Sequence, residues 1–283
     1  MNRLRNPWGR PRFLAAVTVL YILWSVVPVA LAIAFAFNSG RSRTTWQGFS
    51  LRWFTGETGS VLHEPSLQDA LQHTLLLAVL CVALAVPLGV ALALGLQRWR
   101  GRAGGTVNTL MLLPLVTPEI VMGVALLLLF LQVLPGIGLG TEAQAIGQVT
   151  FAISYVVVIV RGRLVSIGPE FEEAAADLGA PPRDQLLRVL LPLLAPAIVA
   201  SAAIVFAISI DDFVVTQYLA SDASTTTVSM LLYSNARGAP TPALNALATV
   251  ALVITLATLA AAYLVYRRFA SGKEAAGLAA LDV

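Results

Sequence analysis

Apolar positions in this chain come in long unbroken blocks, and polar positions gather between the blocks instead of alternating with them. Six blocks are long enough to count. Residues 13–37 carry no charge and exceed the ~20 residues a helix needs to cross the hydrocarbon core. Residues 70–96 form a second predicted span, with Pro87 and Gly89 inside it, which membrane bundles tolerate. A third runs over 106–134, interrupted by Pro114 and Pro118, with Glu119 next in line. The fourth covers 143–160 and ends in Arg161 and Arg163, the fifth covers 193–219, and the sixth covers 244–266, closed by Arg267 and Arg268. The pattern predicts an all-α membrane protein of six transmembrane helices.

The segments between the spans are a short basic N-terminus (1–12), a mixed loop (38–69), a basic turn (97–102), a glycine-rich turn (135–140), a charged stretch (161–192), a second loop (221–245) and a tail (267–283). Residues 70–266 are thus read as a five-span core, preceded by a separate first span. A secretory leader would have a shorter apolar core, roughly 7–15 residues, before a small-residue cleavage site. Asn38-Ser39-Gly40 offers no such site, so the first block is read as an uncleaved span. Trp46, Trp53 and Phe54 suit the membrane–water interface.

Composition agrees: 58% of residues are hydrophobic and 12% charged, against about a quarter charged in soluble domains. Cys81 is the only cysteine, so no intrachain disulfide exists. His63 and His73 have no metal-ligand pattern around them and are expected at the surface. With both termini inside, 14 of the 18 Lys and Arg residues fall on the cytoplasmic side, as the positive-inside rule asks. No P-loop lysine motif and no Ser/His/Asp arrangement occurs, and the glycines of 136–140 lack a preceding strand.

The charged stretch between the fourth and fifth spans has its own logic. Pro169, Glu170, Glu172 and Glu173 place acids in a helix's first turns, where the macrodipole favours them. Ala174, Ala175 and Ala176 allow close approach of another surface. Gly179 suits a left-handed C-cap and Pro181-Pro182 stops the helix. A second helix is expected from Arg183, with Leu186, Leu187, Leu190 and Leu191 on one face, making a stiff elbow. The series Glu173-Ala174-Ala175, Gly179 and Val189-x-Leu191-Pro192 resembles the EAA motif of membrane subunits of binding-protein-dependent, ATP-driven importers, with Val189 in place of Ile.

Glu119, Asp211 and Asp212 are the only acids inside the predicted spans. Burying an ionised Asp at a helix centre costs about 2.5–3.5 kcal/mol on insertion scales, which points to a functional lining. On a continuous helix Ser209, Asp212 and Thr216 would share one face, while Asp211 would side with Val215 and Tyr218. No basic residue lies in these spans to pair with the acids, so a transient cation is their natural partner. An ammonium about 4 Å from a carboxylate gains roughly 4 kcal/mol at an effective dielectric of 20. A purely structural role, with Asp212 bonding hydroxyls of a neighbouring helix, is the alternative for any one of them.

Residues 209–216, Ser224-Thr225-Thr226-Thr227, Asn245-Ala246-Leu247, 118–121 and 151–161 resemble the second permease subunit of spermidine/putrescine importers. This resemblance implies the type I importer permease fold in a bacterial inner membrane. It also implies a homologous second permease, two ATPase subunits that bind ATP and Mg²⁺, and an extracytoplasmic substrate-binding protein, with no cofactor in this chain and no nucleic acid. Glu173, Ala174, Ala175, Gly179, Leu191 and Pro192 would couple to the ATPases; Glu119, Asp211, Asp212, Thr216 and Tyr218 would line the pathway. Related branches carry iron, thiamine, sulfate or aminophosphonates. A proton-coupled secondary transporter is a rival from another class, disfavoured by the elbow and by the absence of an internal repeat.

Overall fold

The computed structural model describes residues 12–42, 44–56, 58–98, 104–236 and 241–279. The basic N-terminal cluster, most of the 97–102 turn, Arg43, Arg237 and the end of the tail lie outside the described residues. All regular structure among the described residues is helical apart from one isolated bridge, Asn38 to Phe49. Among the described residues five helices are long and apolar enough to cross a membrane, or six when a bent pair is counted as one broken span.

Helix α1 (Arg12–Ala36) is apolar on every side, and 6% of its most apolar window is buried, so its flanks are left to lipid or to another membrane chain. Its end leads into a cap at one end of the bundle, built with α2 (Arg52–Thr55). Trp53 is not left open on the surface as its type suggests. It is buried in the cap, and its indole nitrogen donates to the Asn38 carbonyl at 2.7 Å. Phe37 stacks on Phe49 and meets Phe54, so the loop packs its own small core against α12 (Pro242–Ala279).

Helix α3 (Pro65–Arg98) is longer than its apolar block, because Pro65 can start a helix whose first turn is polar. It packs against α6 (Thr141–Ile167), the most enclosed of the spans, with 61% of its window buried. Gly89 permits this: a Cβ there would come within 2.5 Å of Val156. Cys81, Ala85, Val90, Val156, Val160 and Leu194 form the central core shared by α3, α6 and α9 (Leu191–Asp211).

Two spans depart from the expectation of one continuous helix each. The third consists of α4 (Gly104–Val116) and α5 (Glu119–Leu128), the latter continuing as a π turn, Leu129–Val133, and the two halves are bent by 109°. Thr117-Pro118 makes the bend: Pro118 is extended (φ −55°, ψ 133°) and has no N–H to continue the ladder. The fifth span breaks at Asp212, whose ψ of 120° ends α9, and resumes after Phe213 as α10 (Val214–Leu219). Asp211 and Asp212 are therefore set apart by the break and not by their positions around one continuous helix.

The elbow begins with α7 (Glu170–Asp177), which carries Glu170, Glu172 and Glu173 in its first turn. Gly179 takes φ +79°, and the Gly179 N–H to Ala176 and Ala180 N–H to Ala175 bonds (2.8 and 2.9 Å) close a Schellman cap. The expected second elbow helix is not separate. It starts as α8 (Pro182–Asp184), widens into a π turn (Gln185–Leu190) and runs straight into α9. Pro192 explains the widened turn, since its ring excludes the ordinary bond to the carbonyl four residues back. The loop after α10 also holds more structure than expected: a 3₁₀ turn (Ala223–Thr225) capped by Asp222, then α11 (Val228–Ala236). Hydrogen bonds from Ser224 hold the Asp222 carboxyl below its usual range.

Candidate functional site

The two breaks face each other. Pro114, Thr117, Pro118 and Glu119 from one, and Ile208, Asp211, Asp212 and Phe213 from the other, line a cavity of about 580 Å³ together with Phe151 and Tyr155 of α6. That is within the usual volume range of small-molecule sites, roughly 300–1,000 Å³. Broken spans supply the polar groups because only there does the backbone depart from a closed helical ladder.

Three of the expected pathway acids meet at this cavity, but in two different states. Glu119, in the first turn of α5, and Asp211, at the end of α9, are exposed. Among the described residues lining the cavity none is Lys, Arg or His. Asp212 is buried and bonded: its carboxylate accepts the Val215 N–H (3.3 Å), the Thr216 N–H (3.0 Å) and the Gln148 amide (3.2 Å). Thr216 is fully buried beside it, its hydroxyl donating to the Asp212 carbonyl at 3.0 Å, and Tyr218 packs on Gly123 of α5. Neither Thr216 nor Tyr218 lines the cavity.

Three further polar residues at the site went unnoticed in the sequence or were misplaced. Gln148 also accepts the Ser209 hydroxyl (2.5 Å) and donates to the Ser209 carbonyl (3.3 Å). One turn earlier, Gln144 donates to the carbonyls of Thr216 and Thr225, both at 2.9 Å. His73, expected at the surface, is buried, with Nε2 2.8 Å from Gln144 Oε1. The available signal was two glutamines four apart in an apolar helix, where uncharged polar side chains seek partners on neighbouring helices. Gly147 lies between them, and a Cβ there would come within 2.6 Å of Leu219 and 2.9 Å of Val215, so α10 presses directly on α6.

At the opposite end, the elbow presents Glu173, Ala174 and Gly179 to solvent, with Ala175 half-buried. Leu178 is 89% exposed and Phe171 53%, two large apolar side chains on a polar helix. Leu191 and Pro192 lie at the start of α9, not on the α7 surface. Below α7, Glu172 and Glu173 face a cleft shared with Gln97 and Val165.

An elbow between the fourth and fifth spans, a break in the third and another in the fifth, and a cavity between the breaks define a membrane permease. Residues 85–272 match the family described as "Binding-protein-dependent transport system inner membrane component", and the chain belongs to that family. It is 34% identical over 251 residues to the spermidine/putrescine transport system permease protein PotC of Escherichia coli, covering 89% of this chain and 92% of that one. The putrescine transport system permease protein PotI of Escherichia coli is 33% identical over 260 residues, covering 89% of each chain. A molybdenum transport system permease protein, ModB of Mycobacterium bovis, is 32% identical over 221 residues, covering 74% of this chain and 77% of that one. In architecture the chain is similar to a subunit of a bacterial ABC transporter that imports the acidic polysaccharide alginate, with a TM-score of 0.71 at 19% identity over 90% of this chain and 95% of that one. A chain of the MetNI methionine ABC transporter shares the fold, with a TM-score of 0.57 at 18% identity over 71% of this chain and 93% of that one. The fold is that of type I ABC importer permeases.

Proposed function

We propose that this chain is one permease subunit of an ATP-driven importer of polyamines, with the cavity between its two broken spans forming its half of the cargo's path. The observation that carries the cargo class is the pair of exposed carboxylates, Glu119 and Asp211, in a cavity whose described lining holds no cation. Two carboxylates with Phe151, Tyr155 and Phe213 around them suit a chain of methylenes ending in ammonium groups. The relatives named for spermidine and putrescine support the same cargo, and the relative named for molybdenum shows why the acids are needed to choose between branches.

The subunit works with a second, homologous permease, two ATPase subunits that bind ATP and Mg²⁺, and an extracytoplasmic binding protein. Both termini are cytoplasmic, an orientation supported by 14 of 18 basic residues falling on that side. Hydrolysis occurs on the ATPases, and this chain is not catalytic. Glu173, Ala174, Ala175, Gly179 and the exposed Leu178 form the surface that the ATPases move, while Leu191 and Pro192 join that elbow to α9. Because α8, the π turn and α9 are continuous, displacement of the elbow is delivered straight to the break at Asp212.

The test is ATP hydrolysis by the reconstituted complex, with its binding protein, across a panel of ligands. Stimulation by spermidine or putrescine is expected. Stimulation only by an anion or a metal ion overturns the cargo assignment.

A further inference from the structure

We propose that Asp212 is a positioning residue and Gln148 its holder: together they keep the fifth span broken so that Asp211, one residue earlier, turns its carboxylate to the cavity. The inference rests on reading that cavity as the cargo's path, and it divides labour between two adjacent acids.

The carboxylate of Asp212 is already occupied. A carboxylate offers about four lone-pair directions, and three protein donors point at this one: the Val215 and Thr216 N–H groups and the Gln148 amide. An arriving ammonium would have to displace these donors. The side chain of Asp211 is exposed, and among the described residues it has no hydrogen-bond or ionic partner. Asp211 has its whole carboxylate open to a ligand, whereas Asp212 keeps about one free lone-pair direction.

Gln148 grips both sides of the break. It exchanges two hydrogen bonds with Ser209, in the last turn of α9, and donates a third to Asp212, the first residue past it. Asp212 in turn caps the next helix through the N–H groups of Val215 and Thr216. The carbonyls released by the break are met as well, since the Ser229 hydroxyl lies 3.0 Å from the Ile210 carbonyl and 3.1 Å from that of Asp212. Gly147, adjacent to Gln148, admits α10 against α6, so the amide can reach across. Asp212's backbone angles of φ −61° and ψ 120° end the helix just after Asp211. Released from Gln148, a buried carboxylate would lose a donor, and the turn that aims Asp211 would lose its anchor.

The experiment compares spermidine uptake by the reconstituted complex carrying Asp212→Asn, Asp212→Ala, Gln148→Leu or Asp211→Asn. Asn and Ala both remove the charge, but Asn alone keeps an oxygen to cap α10. Asp212→Asn is expected to retain Vmax within about threefold at unchanged KM, whereas Asp212→Ala and Gln148→Leu each lose about tenfold in Vmax. Combining Asp212→Ala with Gln148→Leu adds little to either alone, because both break one network. Asp211→Asn raises KM instead. Equal losses for Asn and Ala with a raised KM would overturn the proposal, since the charge of Asp212 would then be meeting cargo. A second readout needs no cargo: single cysteines at 211 and 212 are challenged with a cationic, water-soluble thiosulfonate, with Cys81 buried and silent. Rapid modification at 211 and protection at 212 is the expected pattern, and equal rates overturn it. If no amine stimulates the wild-type complex, the cargo reading falls while this labelling still decides the inference.

Discussion

Nε2 of His73 lies 2.8 Å from Oε1 of Gln144, and the same glutamine's amide donates to the Thr216 and Thr225 carbonyls. One side chain thereby ties α3, α6, α10 and the 3₁₀ turn of the following loop together. Thr216 and Thr225 are both buried. Gln144→Leu is therefore expected to cost more than one hydrogen bond, at about 1–3 kcal/mol for each polar group left without a partner. Thermal unfolding of the purified complex in detergent measures it, and His73→Phe should be the milder change because it orphans only the Gln144 oxygen.

Gly147 sets the spacing of that contact. Alanine there drives a methyl group into Leu219 and Val215 at 2.6 and 2.9 Å, and overpacking of this kind typically costs about 1–3 kcal/mol. Gly95 has nothing within 4 Å of its missing Cβ, so Gly95→Ala should leave unfolding temperature unchanged or raised. Parallel melting curves of the two variants give the comparison. Matching melts would mean that α10 is not held where these distances place it.

The elbow predicts a residue-specific result at Gly179. Its φ of +79° is reached by Asn at little cost but by Ala or Val only with strain of about 1–2 kcal/mol. Gly179→Asn should keep uptake near wild type, and Gly179→Val should lower uptake per ATP hydrolysed. Glu173→Lys reverses the charge offered to the ATPase and should uncouple hydrolysis from uptake while leaving the complex partly assembled. Uptake and phosphate release measured in the same proteoliposomes separate coupling from assembly.

At the cavity, Glu119→Gln and Asp211→Asn should each raise the KM for spermidine by about tenfold, equivalent to about 1.4 kcal/mol. The effect should be larger for spermidine than for a monoamine of similar length, since a second ammonium needs the second acid. Initial uptake rates over a concentration series check it, and an unchanged KM in both variants would remove the acids from cargo binding.

Much was legible before any coordinates, for identifiable reasons. A span is a property of consecutive residues, so six apolar blocks translate directly into membrane-crossing length. A C-cap is equally local: Gly179 followed by Pro181-Pro182 has few other outcomes, and it adopts the left-handed turn its sequence suggests. Positive charge at block ends is local too. The acids at 119, 211 and 212 stood out because charge is costly in lipid whatever surrounds it.

Only the tertiary structure decided what each acid does. Asp211 and Asp212 are chemically identical neighbours, and one becomes buried while the other becomes exposed because Gln148, 64 residues earlier than Asp212, reaches across the break. Pro118 marks a break along the chain, but the 109° bend and the packing of Tyr218 of α10 on Gly123 of α5 belong to the assembled helices. His73 and Trp53 went inside because partners from distant segments met their ring nitrogens. Local propensity places groups along the chain, but satisfaction of buried polar groups is a long-range condition that only the assembled helices can meet.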